Sequence, residues 1–416
     1  MARSPAAASS RPSPVNVMRI LMSIHQDLDP KSGTGNVTCQ LANALRRRGH
    51  TVDIISFERL DSPQRIKEYF YPWFVAAFAK RQGPYDVLDL SARDGWVLST
   101  LQKFRQGQSR PVIVARSHGL EHLLHEARLA AQRSGALRLP WTYPLYKGGL
   151  RLWECRMSLC QAEAALFLND VERRYAVEKL KVNPARAILV KNGIPDALIH
   201  NARTLLHSPP QSEAPSHIAF VGRYSDLKGR SFLRVAMRSV LRRFPHSTFG
   251  LFGTMASEAS VAGDYPSELR SRIRVVPSYE NEQLPALLDG YHILAFPSLF
   301  EGFGLAPLEA MSCGLVPVAA ATPGPMSYIA SGRNGILVPP KDASALENAI
   351  AELLTNAAQW RSLRNEGLAT AGGYSWEGVA ADLERTYSSF VRRLASVSRL
   401  PIGEESLPSE EPLPLS

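Results

Sequence analysis

The sequence predicts an α/β protein of two doubly wound, Rossmann-like domains that face each other across a central cleft. Three observations lead there. At 416 residues the chain exceeds what one ordinary hydrophobic core accommodates. Short apolar runs alternate with helical patterns, and they do so in two separate series. Between the series, Ser208-Pro209-Pro210-Gln211-Ser212 reads as a linker. The domain plan is therefore an N-terminal Rossmann-like domain over 18–200, a linker over 201–216 and a C-terminal Rossmann-like domain over 217–375. A helix over 376–396 crosses back to the first domain. Residues 1–17 are read as a disordered arm and 397–416 as a disordered acidic tail.

The elements follow in order. The Ala/Ser/Pro-rich stretch Met1–Asn16 has no apolar segment resembling a signal-peptide core, so it is an arm or an upstream extension. Arg19–Ile24 is a first strand, followed by the loop His25–Gly35 and a helix from about Asn36 to Arg48. Gly49 ends that helix and Thr51–Phe57 supplies the next strand, giving a right-handed parallel crossover. Val87–Leu90, Val112–Arg116, Ala165–Leu168 and Ile188–Lys191 continue the first series. The second runs through His217–Val221, Thr248–Phe252, Ile273–Val276, Ile293–Phe296 and Val316–Ala319. Ser375-Trp376-Glu377 opens the final helix. A ligand belongs at the carboxyl ends of such strands.

Composition narrows the class. A hydrophobic share of 45% with 21% charged residues is that of a globular protein, and no apolar run approaches the ~20 residues that span a bilayer. A cytoplasmic protein is expected. The formal charge of +10 fits an anionic partner: nucleic acid, an anionic membrane or a phosphorylated substrate. Cys39, Cys155, Cys160 and Cys313 form no CxxC pair and have no His cluster beside them, so they are read as buried, reduced thiols.

Four constellations carry chemistry. Phe296-Pro297-Ser298-Leu299-Phe300-Glu301-Gly302-Phe303-Gly304-Leu305 follows a buried strand and opens a helix that carries Glu309. Its glycines admit close backbone approach, amides at the helix start donate, and two carboxylates bracket the turn to accept hydroxyl hydrogen bonds. Arg223 and Lys228, in the stretch Phe220–Gly229 after the second domain's first strand, suit a diphosphate clamp. Ser32-Gly33-Thr34-Gly35-Asn36 is a weaker glycine pair. It lacks the third glycine of a dinucleotide fingerprint and the Lys of a P-loop, which argues against an NAD dehydrogenase and a P-loop NTPase. Arg116-Ser117-His118-Gly119-Leu120-Glu121-His122 places a histidine at a strand end facing the cleft.

The stretch Phe296–Ala319, with its Glu, seven residues, Glu pattern, resembles the signature of glycosyltransferase family 4, the retaining GT-B enzymes. The similarity extends from about Met18 to Phe390. The resemblance implies that Glu309 holds the donor ribose, while Glu301 and the backbone of Gly302, Phe303, Gly304 and Leu305 hold the donor sugar. It implies that Arg223 and Lys228 hold the donor diphosphate, with Gly33 and Gly35 close to it, and that His118 contacts the sugar with catalytic consequence. Glu121, His122 and His125 are acceptor candidates. Asn192-Gly193 resembles the family's turn before the linker, and Ser327 stands where family members commonly carry a Glu. Asp27-Leu28-Asp29 matches a DxD literally but sits in the wrong half of the fold for a metal-dependent GT-A enzyme, so no metal and no cofactor is expected.

The expected reaction is same-face transfer from a nucleoside-diphosphate sugar, UDP- or GDP-linked, to a hydroxyl of a glycan, lipid-linked or small-molecule acceptor. Arg/Lys interleaved with aromatics over 65–81 and 128–153 leaves two readings open: a face for an anionic membrane, or core aromatics with solvated charges. A GT-B-fold epimerase or phosphorylase is the enzymatic alternative. Nucleic-acid binding is suggested by charge alone, without a recognised motif, and no nucleic-acid partner is expected.

Overall fold

A computed structural model describes residues 17–29, 33–103, 110–133, 135, 137–208 and 213–397. The expectations for residues 1–16, Ser32, the linker residues 209–212 and the tail 398–416 lie outside these. The described chain contains two six-stranded sheets, and every strand pairing in them is parallel.

The first sheet is built from β1 (Arg19–Ser23), β2 (Thr51–Ile55), β3 (Val87–Ser91), β4 (Val112–Arg116), β5 (Ala164–Phe167) and β6 (Ala187–Leu189), in the order β2-β1-β3-β4-β5-β6. The second contains β7 (His217–Val221), β8 (Thr248–Phe252), β9 (Ile273–Val276), β10 (Ile293–Phe296), β11 (Val316–Ala320) and β12 (Ile336–Val338), in the order β12-β11-β10-β7-β8-β9. Both are doubly wound orders, and each reverses direction once, between β1 and β3 and between β7 and β10. Ligands enter α/β sheets at such switch points. The central strands are buried on both faces, as in β4 and β10, which explains their unbroken apolar sequence.

Three local differences from the sequence expectation have physical causes. The first helix begins at Gly33, not near Asn36, so Gly33 and Gly35 lie in its first turn. The helix Asp196–Leu206 extends into the expected linker, because Leu198, Ile199 and Ala202 form one buried apolar face. The three-residue edge strand β12 is too short to show a period and was not expected.

The last helix, Trp376–Val397, leaves the second domain and packs on the first helix of the N-terminal domain. Trp376, Val379, Leu383, Tyr387 and Phe390 join Leu41, Leu45 and Val112 in one core cluster. Each fully buried side chain of this size contributes about 1.5–3 kcal/mol. At the crossing, Ile194 bridges to Ser375 and its amide donates to the Tyr374 carbonyl at 2.7 Å.

Candidate active site

The C-terminal wall of the cleft forms at the β7/β10 switch point. After β7, the chain passes Arg223 and makes a short turn, Asp226–Lys228, closed by Gly229 at φ 76°. A Cβ at Gly229 would lie 2.0 Å from the Pro297 carbonyl oxygen, so only glycine lets this turn sit against the loop after β10. That contact brings Lys228 to Glu301. Lys228 Nζ donates to Glu301 Oε1 at 2.5 Å, and it lies 5.6 Å from the centre of the Phe296 ring. Arg223 is exposed and engages no described residue.

Gly304, at φ 76°, turns the chain into the helix Leu305–Ser312, and its carbonyl accepts from the Tyr328 hydroxyl. Phe303 points into the core against Tyr328 and Tyr374, so its side chain supports the loop from below. Glu309, one turn along the helix, is half-buried, and its carboxylate has no described hydrogen-bond partner. Burial alone pushes its carboxyl up to about 7.

The N-terminal wall forms at the ends of β1, β3 and β4. Its cavity, of about 250 Å³, is lined among others by His25, Thr34, Arg93, His118, Gly119 and Glu121, with Phe300 from the opposite domain. His118 is half-buried, and burial together with Arg116 lowers its pKa to about 4. At neutral pH its imidazole is uncharged and can donate one hydrogen bond and accept another. Arg116 itself is committed to Asp89, which also accepts from the Tyr387 hydroxyl.

The two walls meet glycine on glycine. A Cβ at Gly302 would fall 2.5 Å from the Gly119 Cα, and Asn169 Nδ2 donates to the Gly302 carbonyl at 2.6 Å. Gly302 thus serves the contact between domains. Glu172, fully buried beside this contact, accepts from Ser117 and from the Leu120 amide, which fixes the turn carrying His118 and Gly119.

The acceptor candidates separate. Glu121 lines the cavity and is paired with Arg151. His122 and His125, on the same helix, are not among the lining residues; His122 lies 6.4 Å from Tyr175, and His125 stacks on Tyr143 at 5.7 Å. Gly33 is exposed at the helix start, next to the cavity residue Thr34. Asp27 and Asp29 are exposed, and no described residues form a group of three or more metal-binding side chains. Gly193 packs on the Trp376 backbone, with no room for a Cβ, at the crossing between domains.

Sequence reasoning missed Arg93, Asn169, Glu172 and Tyr328. Asn169 had a readable signal, because its side chain caps the helix Asp170–Tyr175 directly after β5. The others become adjacent only through the fold.

Two family models match the chain: Glycosyltransferase Family 4 over residues 31–198 and Glycosyl transferases group 1 over 215–356. Curated relatives include D-inositol 3-phosphate glycosyltransferases. That of Segniliparus rotundus is 32% identical over 42% of this chain and 40% of its own length. That of Corynebacterium urealyticum is 29% identical over 53% and 54%. The chain spans about half the length of the curated relatives it matches. Among solved structures, sucrose-phosphate synthase from Thermosynechococcus elongatus superposes with a TM-score of 0.69 at 22% identity, covering 91% of this chain and 100% of that one. The Anabaena protein HepE, solved with UDP and glucose, gives 0.63 at 17% identity, covering 89% and 100%. These neighbours share the GT-B architecture of two facing parallel-sheet domains. With both domains matched and the fold in agreement, the chain belongs to the group 1 glycosyltransferases of family 4.

Proposed function

We propose that the protein is a retaining glycosyltransferase. It moves a sugar from a nucleoside-diphosphate sugar, UDP- or GDP-linked, to a hydroxyl of a glycan, lipid-linked or small-molecule acceptor. The observation that carries this reading is the Lys228–Glu301 pair at the C-terminal switch point, with neutral His118 in the cavity of the facing wall. The relatives support it: several are D-inositol 3-phosphate glycosyltransferases, and one structural neighbour was solved with UDP and glucose.

In this mechanism the acceptor oxygen attacks the anomeric carbon on the face from which the diphosphate departs. The new C–O bond forms as the bond to the phosphate oxygen breaks, and the acceptor proton passes to the departing diphosphate. Arg223 and Lys228 stabilise the negative charge that develops there. Glu301, held by Lys228, and His118 orient the sugar hydroxyls, while Glu309 accepts from the ribose. Gly33 and Gly35, in the first helix's opening turn, approach the phosphates. Glu121 is the one acceptor candidate that lines the cavity.

The test is thermal stabilisation by UDP-, GDP- and ADP-sugars in turn. One donor should raise Tm well above the others; no response to any of them sinks the reading. An epimerase or phosphorylase is distinguished because it would change the donor sugar, or exchange it with phosphate, without a hydroxyl acceptor.

One observation favours contact with an anionic membrane. Tyr69, Phe70, Trp73, Trp141, Leu145 and Trp153 are all exposed. Tyr69, Trp73 and Trp153 are neighbours, because Tyr69 packs on Tyr146 at 4.4 Å and Trp96 joins Trp73 to Trp153 at 5.7 and 5.1 Å. Aromatic side chains flanked by Lys67, Arg138 and Lys147 suit a headgroup boundary. No described helix is long and apolar enough to cross a membrane, so this contact would be peripheral. Co-sedimentation with phosphatidylserine vesicles checks it: Trp141→Ala/Trp153→Ala should weaken binding several-fold, and equal binding by the variant removes the reading.

A further inference from the structure

The floor of the N-terminal cavity holds a charge that the transfer mechanism does not use. Arg93, just beyond the end of β3, is 6% exposed. Its Nε and Nη2 are buried without a hydrogen-bond partner. It forms no ion pair among the described residues. Its neighbours are otherwise engaged or poorly charged. Asp94 accepts from Ser23 Oγ at 2.6 Å and pairs with His25 at 2.7 Å. Glu154 lies close enough to feel Arg93 yet makes no ion pair with it, and burial pushes its carboxyl up to about 7. Arg151, whose Nη2 is paired with Glu121, leaves its own Nε buried and unpartnered on the same cavity.

A buried guanidinium with idle donors is costly to a fold unless something compensates it. A planar guanidinium that lines a cavity matches phosphate or carboxylate. The cavity also holds His118 and Gly119, which meets the sugar-binding loop. An anion seated on Arg93 would therefore sit within the same pocket as the reacting hydroxyl. We propose that Arg93, assisted by Arg151 Nε, seats an anionic substituent of the acceptor, a phosphate or a carboxylate borne on the molecule whose hydroxyl takes the sugar. This rests on the transferase reading and adds to it the charge class of the acceptor.

The experiment is calorimetric titration of the full chain, saturated with UDP, with two matched pairs: D-inositol 3-phosphate against inositol, and glucuronate against glucose. At least one anionic member should bind about 10-fold or more tightly than its neutral partner, and the pair that responds tells phosphate from carboxylate. In Arg93→Met the anionic ligand should weaken by about 30-fold or more, while UDP binding, read on the same sample, stays as in the wild type. No anion preference in the wild type, or a preference that survives Arg93→Met, overturns the proposal. If UDP, GDP and ADP all fail to bind the wild type, the transferase reading falls while the anion preference is still read. A second measurement guards against loss of structure. Without ligand, Arg93→Met should melt no lower than the wild type, since it removes an uncompensated charge. A variant that melts several degrees lower assigns Arg93 to the scaffold and overturns the proposal too.

Discussion

The two walls of the cleft solve different problems with the same kind of sheet. On the C-terminal wall, the charged groups lie on two short stretches, 222–229 and 296–309, and the Lys228–Glu301 pair joins the two across the switch point. On the N-terminal wall, the polar groups are buried and gathered at the ends of β1, β3 and β4: Arg116 is paired with Asp89, Asp94 is hydrogen-bonded to His25, and Arg93 keeps Nε and Nη2 without a partner. The first arrangement suits a diphosphate and ribose, parts common to every nucleoside-diphosphate-sugar donor. The second suits a ligand that differs from enzyme to enzyme, so its recognition rests on the particular side chains that meet there.

The sharpest way to break this contrast is to remove the cation of the Lys228–Glu301 pair. Lys228→Ala should lower turnover by about 10²-fold or more, as removal of other preorganised charge contacts does. Steady-state rates with the preferred donor check it, and near-normal turnover would end the phosphate-clamp assignment. Next is the seam between the walls. Gly302→Ala has no room for its methyl group beside Gly119, so the walls must part. Turnover should fall by about 10-fold or more, because small displacements of reacting groups are costly. UDP affinity should change little, since the clamp lies within one domain. Equal losses in both would place the effect in the donor pocket instead.

The smallest effect concerns pH. Burial raises the folded-state pKa of Glu309 from its ordinary value of 4.5 to about 7. Between those values the folded state binds more protons than the unfolded chain, so stability falls as pH rises through this window. Glu309→Gln should therefore melt about 2–4 °C higher than wild type at pH 8, and the advantage should vanish at pH 4 and below. The same titration predicts that wild-type donor KM rises as pH drops below 7, because a protonated carboxyl has lost acceptor capacity. A Glu309→Gln variant with the wild-type pH profile would detach that residue from the ribose.

The same contrast explains what the sequence made legible. The loop from Phe296 to Leu305 could be read because strand, glycines, carboxylates and helix start are contiguous, and parallel strands buried on both faces write themselves as apolar runs. Strands β4, β7, β8, β9 and β10 fall where expected at both ends, whereas β2 stops at Ile55, two residues short of the apolar run that marked it. Arg93 stayed invisible because an arginine beside an aspartate looks like surface; only the fold shows that Asp94 is committed elsewhere. Asn169 and Gly302 are 133 positions apart, and Tyr387 and Asp89 are 298 apart. No periodicity joins such pairs. Gly33 and Gly35 lie in a helix where the sequence suggests a loop, because glycine is a poor helix former and two of them in one turn read as loop even behind Ser32.

The chain passes between the domains twice, near 194 and again near 375, and the two passages lie side by side where Ile194 bridges Ser375. Beyond the second, the final helix is anchored through Tyr387 to Asp89 and by Arg48 to Glu377 and Glu384. The molecule is thus built like a door hung on a doubled pin. The halves are held together at both passages, and neither can be cut away whole. A fragment ending before Trp376 would lack a layer of its own N-terminal core, so the protein has two domains but a single unit of assembly.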